Sequence, residues 1–221
     1  MGRGYNGAVL KLLGAGEHLL TVTAVEDVTA HYRRITFEAP SLFDQPFEPG
    51  AFLRLWMPDP DKPGREHQRG YTIVDPDPDT GRIRLEFAMH DTGGPAMAWA
   101  SNVDLGDTVA ATRYGSTKFA VSDPVPDGYL LIGDPAAIPA INSVLAVLPC
   151  EVPVEVLLEQ QHPEDTELPL TGHPRVNVTW VPRTGEPTQL ADSIAERDWS
   201  NWYAWVTAES AATRRVRDRL K

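Results

Sequence analysis

The chain has 221 residues, 42% of them hydrophobic and 23% charged, which is enough for one large or two small domains, each with a substantial core. Its formal net charge of −11 excludes nucleic acid as the main partner, because neutralising a phosphate backbone takes a basic surface. The same charge disfavours a highly anionic substrate unless a local basic patch overrides the global field.

In chain order, Ala8–Leu13 is the first apolar run. It is too short for a membrane span and lacks the long core of a signal peptide. The one cysteine, Cys150, cannot form an internal disulfide and fits a reducing compartment, so a cytoplasmic chain is expected. Leu19–Val25 and Arg33–Glu38 read as strands, rich in β-branched residues and alternating in polarity. Pro49-Gly50 is a turn before the strand Ala51–Trp56, and residues 58–66 form a charged, proline-rich loop.

The stretch His67-Gln68-Arg69-Gly70-Tyr71-Thr72-Ile73-Val74 opens the next strand. Side chains alternate along a strand, so Arg69 and Tyr71 share one face and Thr72 takes the other. A guanidinium fork then stands beside a flat aromatic, and Gly70 lets something bulky approach the backbone. A flavin nucleotide has matching demands: a phosphate to neutralise, a ring system to flank and polar ring atoms to bond. On its own the stretch also reads as an ordinary strand with an exposed Arg and a half-buried Tyr. Asp75–Gly81 is a tight connection into the strand Arg82–His90, and this spacing of short strands and turns predicts an antiparallel barrel.

Asp91–Ala100 reads as a glycine loop entering a helix, with Pro95 in the first turn. Free N–H groups at such a start, near permissive glycines, can hold a phosphate; a plain surface turn is the rival reading. Leu105–Val109 is a turn and strand, and Tyr114–Phe119 a strand end with two hydroxyls, Ser116 and Thr117. Composition shifts at Ser122–Gly128, which places a domain boundary between residues 1–122 and 123–221.

Beyond it, Tyr129–Ile132 is a continuous apolar run, as in a buried parallel strand. Gly133-Asp134-Pro135 leads to a helical pattern from Ala136 to Leu148 with Pro139 inside. Strands are expected at Val152–Leu158, Arg175–Val181 and Trp202–Thr207, and helices at Leu190–Arg197 and Ser210–Lys221. That alternation is an α/β nucleotide-binding layout. Ligands in such sheets sit beyond the carboxyl ends of strands, which singles out Gly133, Asp134 and Thr207-Ala208-Glu209. The sequence has no GxGxxG, no P-loop, no GxSxG and no Cys/His cluster at metal-site spacing, His162 and His173 standing alone.

Five stretches carry a resemblance in order along nearly the whole chain. They are Arg69-Gly70-Tyr71-Thr72; His90-Asp91 with Gly94-Pro95-Ala96 and Trp99; Gly106-Asp107; Tyr129–Asp134 with Ile138-Pro139-Ala140; and Trp205 with Glu209. Together they resemble the ferredoxin-reductase-like flavoproteins, and more narrowly the siderophore-interacting proteins, which are FAD-dependent ferric-siderophore reductases. The opening Met1–Gly4, Leu157–Gln160 and Arg197–Trp205 look most like the siderophore-interacting domains that begin mycobacterial iron-regulated ABC importers of mycobactin and carboxymycobactin.

The resemblance implies a six-stranded antiparallel FAD-binding β-barrel followed by a smaller α/β NAD(P)H-binding-like domain. It implies that Arg69 meets the flavin phosphates, Tyr71 flanks the isoalloxazine and Thr72 bonds near its redox-active edge. His90, Gly94, Pro95, Ala96 and Trp99 would hold the pyrophosphate and adenylate side, with Ser116 and Thr117 as weaker members of the same site. Asp134 and Glu209 would border the reductant or substrate cleft. No residue is expected to do covalent chemistry, since the flavin carries it. The implied partners are a ferric siderophore, with NAD(P)H as reductant, and the transmembrane and ATPase domains of an importer. A flavin reductase serving another acceptor, or a non-catalytic flavin- or siderophore-binding module, would share the same features.

Three departures from the family pattern stand out. Met97 occupies the place where a serine commonly follows Gly-Pro-Ala. Gly133-Asp134-Pro135-Ala136-Ala137 replaces a Gly-Asp-Glu-Thr-Ala-like run, which puts nicotinamide docking in question. The chain ends inside its final helix, so it is expected to be a C-terminally truncated piece of a longer protein.

Overall fold

The structure is a computed structural model that describes residues 16–90, 93–113, 119–186 and 188–221. The chain divides into two compact units, Met1–Lys118 and Phe119–Lys221. Ser116 and Thr117 lie outside the described residues.

The first unit is an antiparallel sheet of strands β1 (Glu17–Thr29), β2 (Tyr32–Glu38), β3 (Phe52–Pro58), β4 (Glu66–Thr72), β5 (Val74–Asp77), β6 (Arg82–Ala88) and β7 (Thr108–Thr112), with helix α1 (Pro95–Asn102) between the last two. Strict alternation explains the core. In β6, Arg82 and Arg84 face out while Ile83, Leu85 and Phe87 are buried, and they meet Leu20, Val22, Ile35, Phe37, Leu53 and Leu55 in one cluster.

Spatial order is β4-β3-β7-β1-β2-β6-β5. The two edge strands are consecutive in sequence, with only Ile73 between them. One run therefore pairs with β3 through its first half and with β6 through its second. Counted as one bent strand it gives the expected six-stranded barrel. No ladder joins β4 to β5, so the barrel is not closed by hydrogen bonds all the way round. The bend is fixed by Ile73, which is buried and donates its N–H to the Ala51 carbonyl at 2.9 Å, and by Asp75, whose φ of 43° is left-handed. Asp75–Asp77 was expected to be part of a turn; it belongs to β5, and the turn follows at Pro78–Gly81.

The second unit holds strands β8 (Gly128–Gly133), β9 (Val154–Gln160), β10 (Val176–Pro182) and β11 (Trp202–Thr207) with helices α2 (Ile138–Leu145), α3 (Gln189–Asp192) and α4 (Ser210–Arg219). The sheet is parallel, in the order β10-β9-β8-β11. All six residues of β8 are buried, as a central parallel strand requires. The chain proceeds to one side of β8 through β9 and β10, then returns to its other side with β11, so a topological switch point lies between β8 and β11.

Two helices differ from expectation. The pattern over 136–148 splits into a 3-10 turn, Pro135–Ala137, and α2, with Pro139 accommodated in the first turn of α2. The helix expected over 190–197 is the single turn α3. Beyond it Ser193 Oγ donates to the Gln189 carbonyl at 2.8 Å and Asp198 accepts the Ser200 N–H at 2.9 Å, local bonds that compete with a helical ladder. No helix among the described residues is long and apolar enough to cross a membrane.

Gly133 ends β8 with no room for a side chain: a Cβ there would lie 2.5 Å from the Ala137 Cβ and 3.1 Å from the Thr207 carbonyl. Gly133→Ala is expected to lower the unfolding free energy by about 1–3 kcal/mol, read by urea denaturation followed through tryptophan fluorescence. An unchanged midpoint would contradict this packing.

Candidate functional site

The strand carrying Arg69 and Tyr71 is held from in front. Asp59 accepts the N–H groups of Asp61 and Lys62 at 3.0 and 3.1 Å and bonds His67 Nε2 at 2.8 Å. The His67 contact holds the Asp59 carboxyl below the ordinary carboxylate range. This ties the charged loop to the first residues of β4. The β3–β4 register sets Arg69 opposite Leu55 and Tyr71 opposite Leu53, so both point to the barrel's inner side, as alternation requires.

Tyr71 is half-buried, its ring 4.3 Å from that of Phe87. Burial pushes its phenol well above the usual range while Arg69 pulls it back. Arg69 is exposed, and its Nη1 donates to the Gln68 carbonyl at 2.8 Å. Among the described residues no carboxylate lies within ion-pair reach of its guanidinium. Gly70 sits on the outer side, where an added Cβ would stand 3.6 Å from the Phe52 ring. Thr72 is half-buried opposite Phe52. Gln68 Nε2 is buried with no hydrogen-bond partner among the described residues, although its Oε1 accepts from Arg54 at 3.3 Å. Gln68 thus lies on the outer face of β4 with Arg54, across the strand from Arg69 and Tyr71. Sequence reasoning passed over Gln68, since nothing in its neighbours signals burial.

The start of α1 is the second element. Gly93 and Gly94 have φ of 73° and 111°, and an added Cβ on either would meet nothing within 4 Å. Among the described residues no side chain caps the helix, and its first turn carries no acid, so its leading N–H groups and positive dipole end are open to an anion. Pro95 is half-buried and Ala96 buried. Trp99 points to the core: its ring lies 6.3 Å from Phe37 and 6.2 Å from Phe87. Through Phe87 the rings of Tyr71 and Trp99 belong to one aromatic cluster. His90 is exposed and lines an open hollow of about 590 Å³ with His31, Arg33, Met97 and Ser101.

In the second unit the carboxyl ends of the strands gather four charged groups. Asp134 follows β8, Glu159 lies near the end of β9, Arg183 follows β10 and Glu209 precedes α4. Arg183 is shared, with Nη1 3.6 Å from Glu159 and Nη2 3.9 Å from Glu209, and Gln161 Nε2 donates to Glu159 at 2.9 Å. Asp134 is half-buried. Burial, then the charge of Glu159, push its carboxyl up to about 6, against the pull of the Ala136 and Ala137 N–H groups and Arg183. Glu159 and Arg183 were not singled out in the sequence; their places at the carboxyl ends of β9 and β10 were the available signal.

An antiparallel barrel whose bent strand presents Arg-x-Tyr-Thr, followed by a parallel α/β unit, defines a ferredoxin-reductase-like fold. Residues 59–113 match the family model described as siderophore-interacting FAD-binding domain, and residues 126–221 the one described as siderophore-interacting protein. The chain belongs to the siderophore-interacting protein family. It is 45% identical over 223 residues to the mycobactin import ATP-binding/permease protein IrtA of Mycobacterium tuberculosis, an alignment covering all of this chain and 26% of that protein; the chain thus spans about a quarter of the length of the curated relatives matched along its whole length. The ferric vibriobactin reductase ViuB of Vibrio cholerae is 26% identical over 128 residues, 58% of this chain and 45% of ViuB. The siderophore-interacting protein SipS of Aeromonas hydrophila superposes with a TM-score of 0.75 at 28% identity, covering 94% of this chain and 87% of SipS.

The residues at β4 and at the start of α1 fit FAD. They supply an arginine with no acid partner and a half-buried ring on one face of β4, and a helix start behind two open glycines with no side-chain cap, all among the described residues.

Asp134 gives a stability prediction with a definite sign. Its folded value of about 6 lies above the ordinary carboxyl value of 3.8, so the folded state binds this proton more tightly than the unfolded chain. The stabilisation it brings is complete below 3.8 and is lost as pH rises through about 6. Across that window the loss is about 2–3 kcal/mol. Asp134→Asn should therefore gain stability relative to the parent on going from pH 4 to pH 7.5, measured by paired denaturant titrations. A difference that stays flat with pH would contradict the assignment.

Proposed function

We propose that this chain is an FAD-dependent ferric-siderophore reductase domain. It would act on a mycobactin- or carboxymycobactin-like chelate at the cytoplasmic face of an ABC importer, with NAD(P)H as the reductant. The observation that carries the reading is the pair on β4: an exposed guanidinium with no carboxylate partner among the described residues, and two residues on, along the same face, a half-buried phenol ring. The match of residues 59–113 to a siderophore-interacting FAD-binding domain supports it. The likeness to a mycobactin importer and to a ferric vibriobactin reductase supports the substrate and the direction of electron flow.

In this reading Arg69 neutralises the flavin phosphates with a planar two-pronged donor, and Tyr71 covers one face of the isoalloxazine. Thr72 bonds near the ring's reactive edge. Gly94, Pro95 and Ala96 offer the open approach and the helix dipole to the pyrophosphate, with Met97 adding no hydroxyl; His90 flanks the adenylate side. The flavin supplies the electrons that take Fe(III) to Fe(II). Fe(II) is the weaker Lewis acid toward hard oxygen ligands, so the chelate loosens after reduction. The net charge of −11 favours a near-neutral chelate over a multiply charged catecholate.

The purified protein is expected to be yellow. Once its flavin is bleached under anaerobic conditions, a ferric mycobactin-type chelate should restore the oxidised spectrum while an Fe(II)-specific dye develops colour. Arg69→Ala should weaken FAD binding by about 10- to 100-fold, the loss of a charge-assisted contact. A colourless protein that takes up no FAD, or full FAD occupancy in Arg69→Ala, would overturn the reading.

A further inference from the structure

Dinucleotide-binding sheets hold a pyrophosphate at a switch point, on free N–H groups of a helix start, where glycines let the backbone come close. In this chain the corresponding place is the turn after β8, beside the end of β11, since Gly133 pairs with Thr207. Its composition runs against a phosphate in three respects. The residue after Gly133 is Asp134, whose extended backbone (φ −118°, ψ −179°) begins the 3-10 turn, so a carboxylate stands where an incoming anion would need only backbone. The next residue, Pro135, is buried and has no N–H to offer. Glu159 and Glu209 stand at the neighbouring strand ends, and the one guanidinium there, Arg183, is already divided between them at 3.6 and 3.9 Å. Among the described residues no second cation pairs with any of the three carboxylates.

We infer that Asp134, with Glu159 beside it, bars the pyrophosphate of a nicotinamide dinucleotide from the switch-point turn of the parallel sheet, so that the reductant of this domain is not gripped there by its phosphates. This rests on the reductase reading and narrows it. A dinucleotide donor then meets the chain in transient encounters, and flavin reduction should rise linearly with NADPH or NADH without saturating. The upward displacement of the Asp134 carboxyl to about 6 is consistent with a turn where negative charge is already in excess. A phosphate group would add to that excess at close range and in a half-buried setting, where charges are poorly screened.

ADP-ribose is the probe, because it carries the pyrophosphate and no redox chemistry. Its binding is measured by isothermal titration and ligand-observed NMR on the flavin-loaded protein, on Asp134→Asn and on the double variant Asp134→Asn/Glu159→Gln. FAD content and thermal melts are recorded on the same samples. The parent protein should show no saturable binding at millimolar ADP-ribose, and the double variant should gain at least about tenfold in affinity, with FAD content unchanged. Micromolar binding to the parent, or affinity unchanged or weakened in the variants, overturns the inference. Absence of binding in all three proteins removes Asp134 as the excluding group and also overturns it. Loss of FAD from the parent would instead strike the flavin reading, so the two failures are told apart.

Discussion

The barrel depends on the bend at Ile73. Because β4 and β5 are two halves of one run, the edges of the sheet cannot drift apart without breaking the Ile73–Ala51 hydrogen bond and exposing a buried isoleucine. The seam between them has no ladder, so side chains must close it. The Tyr71 ring on Phe87, 4.3 Å apart, joins β4 to β6 across that seam. The seam thus combines an aromatic surface and a guanidinium in one short stretch. This is a consequence of topology: the closure that completes the core also creates the site.

The two units use opposite electrostatics although the chain as a whole is strongly acidic. At the barrel seam the charged group is Arg69, with no acid partner among the described residues, and the adjoining helix carries no acid in its first turn. At the crest of the parallel sheet three carboxyls surround one shared guanidinium. On the proposed reading, a phosphate-bearing ligand is drawn to one unit and repelled by the other at short range, whatever the net charge does at long range.

Much of this was legible in the sequence because it rests on period-two alternation and on a single apolar run. The inner side of β4, the buried face of β6 and the wholly buried β8 all follow from local pattern. The bend was not legible, since Asp75-Pro76 reads as turn chemistry, whereas here a left-handed Asp75 lets the strand change sheet edges and continue. The helix expected over 190–197 failed for a related reason: Ser193 and Asp198 bond locally in ways that apolar periodicity does not register. Gln68, Glu159 and Arg183 escaped because their meaning depends on neighbours in space. Gln68 matters through a buried amide nitrogen left without a partner, and Glu159 and Arg183 through strands that come together only in the folded sheet.

Asp134 admits a purely structural explanation that magnitudes can test. A carboxylate at the start of a helical run is favoured by the helix dipole, worth about 0.3–1 kcal/mol, and N–H groups ahead of it would add to that. Were this the dominant effect, the carboxyl would sit below its ordinary value. It is displaced upward to about 6, with burial the largest cause and Glu159 the next, so the penalty on the charged form exceeds what the helix start returns. The Ala136 and Ala137 N–H groups pull the carboxyl the other way but offset only part of the cost of burying it. A half-buried acid held at a net electrostatic cost, at the one turn of the sheet where ligands are expected, has its physical effect on whatever approaches that turn.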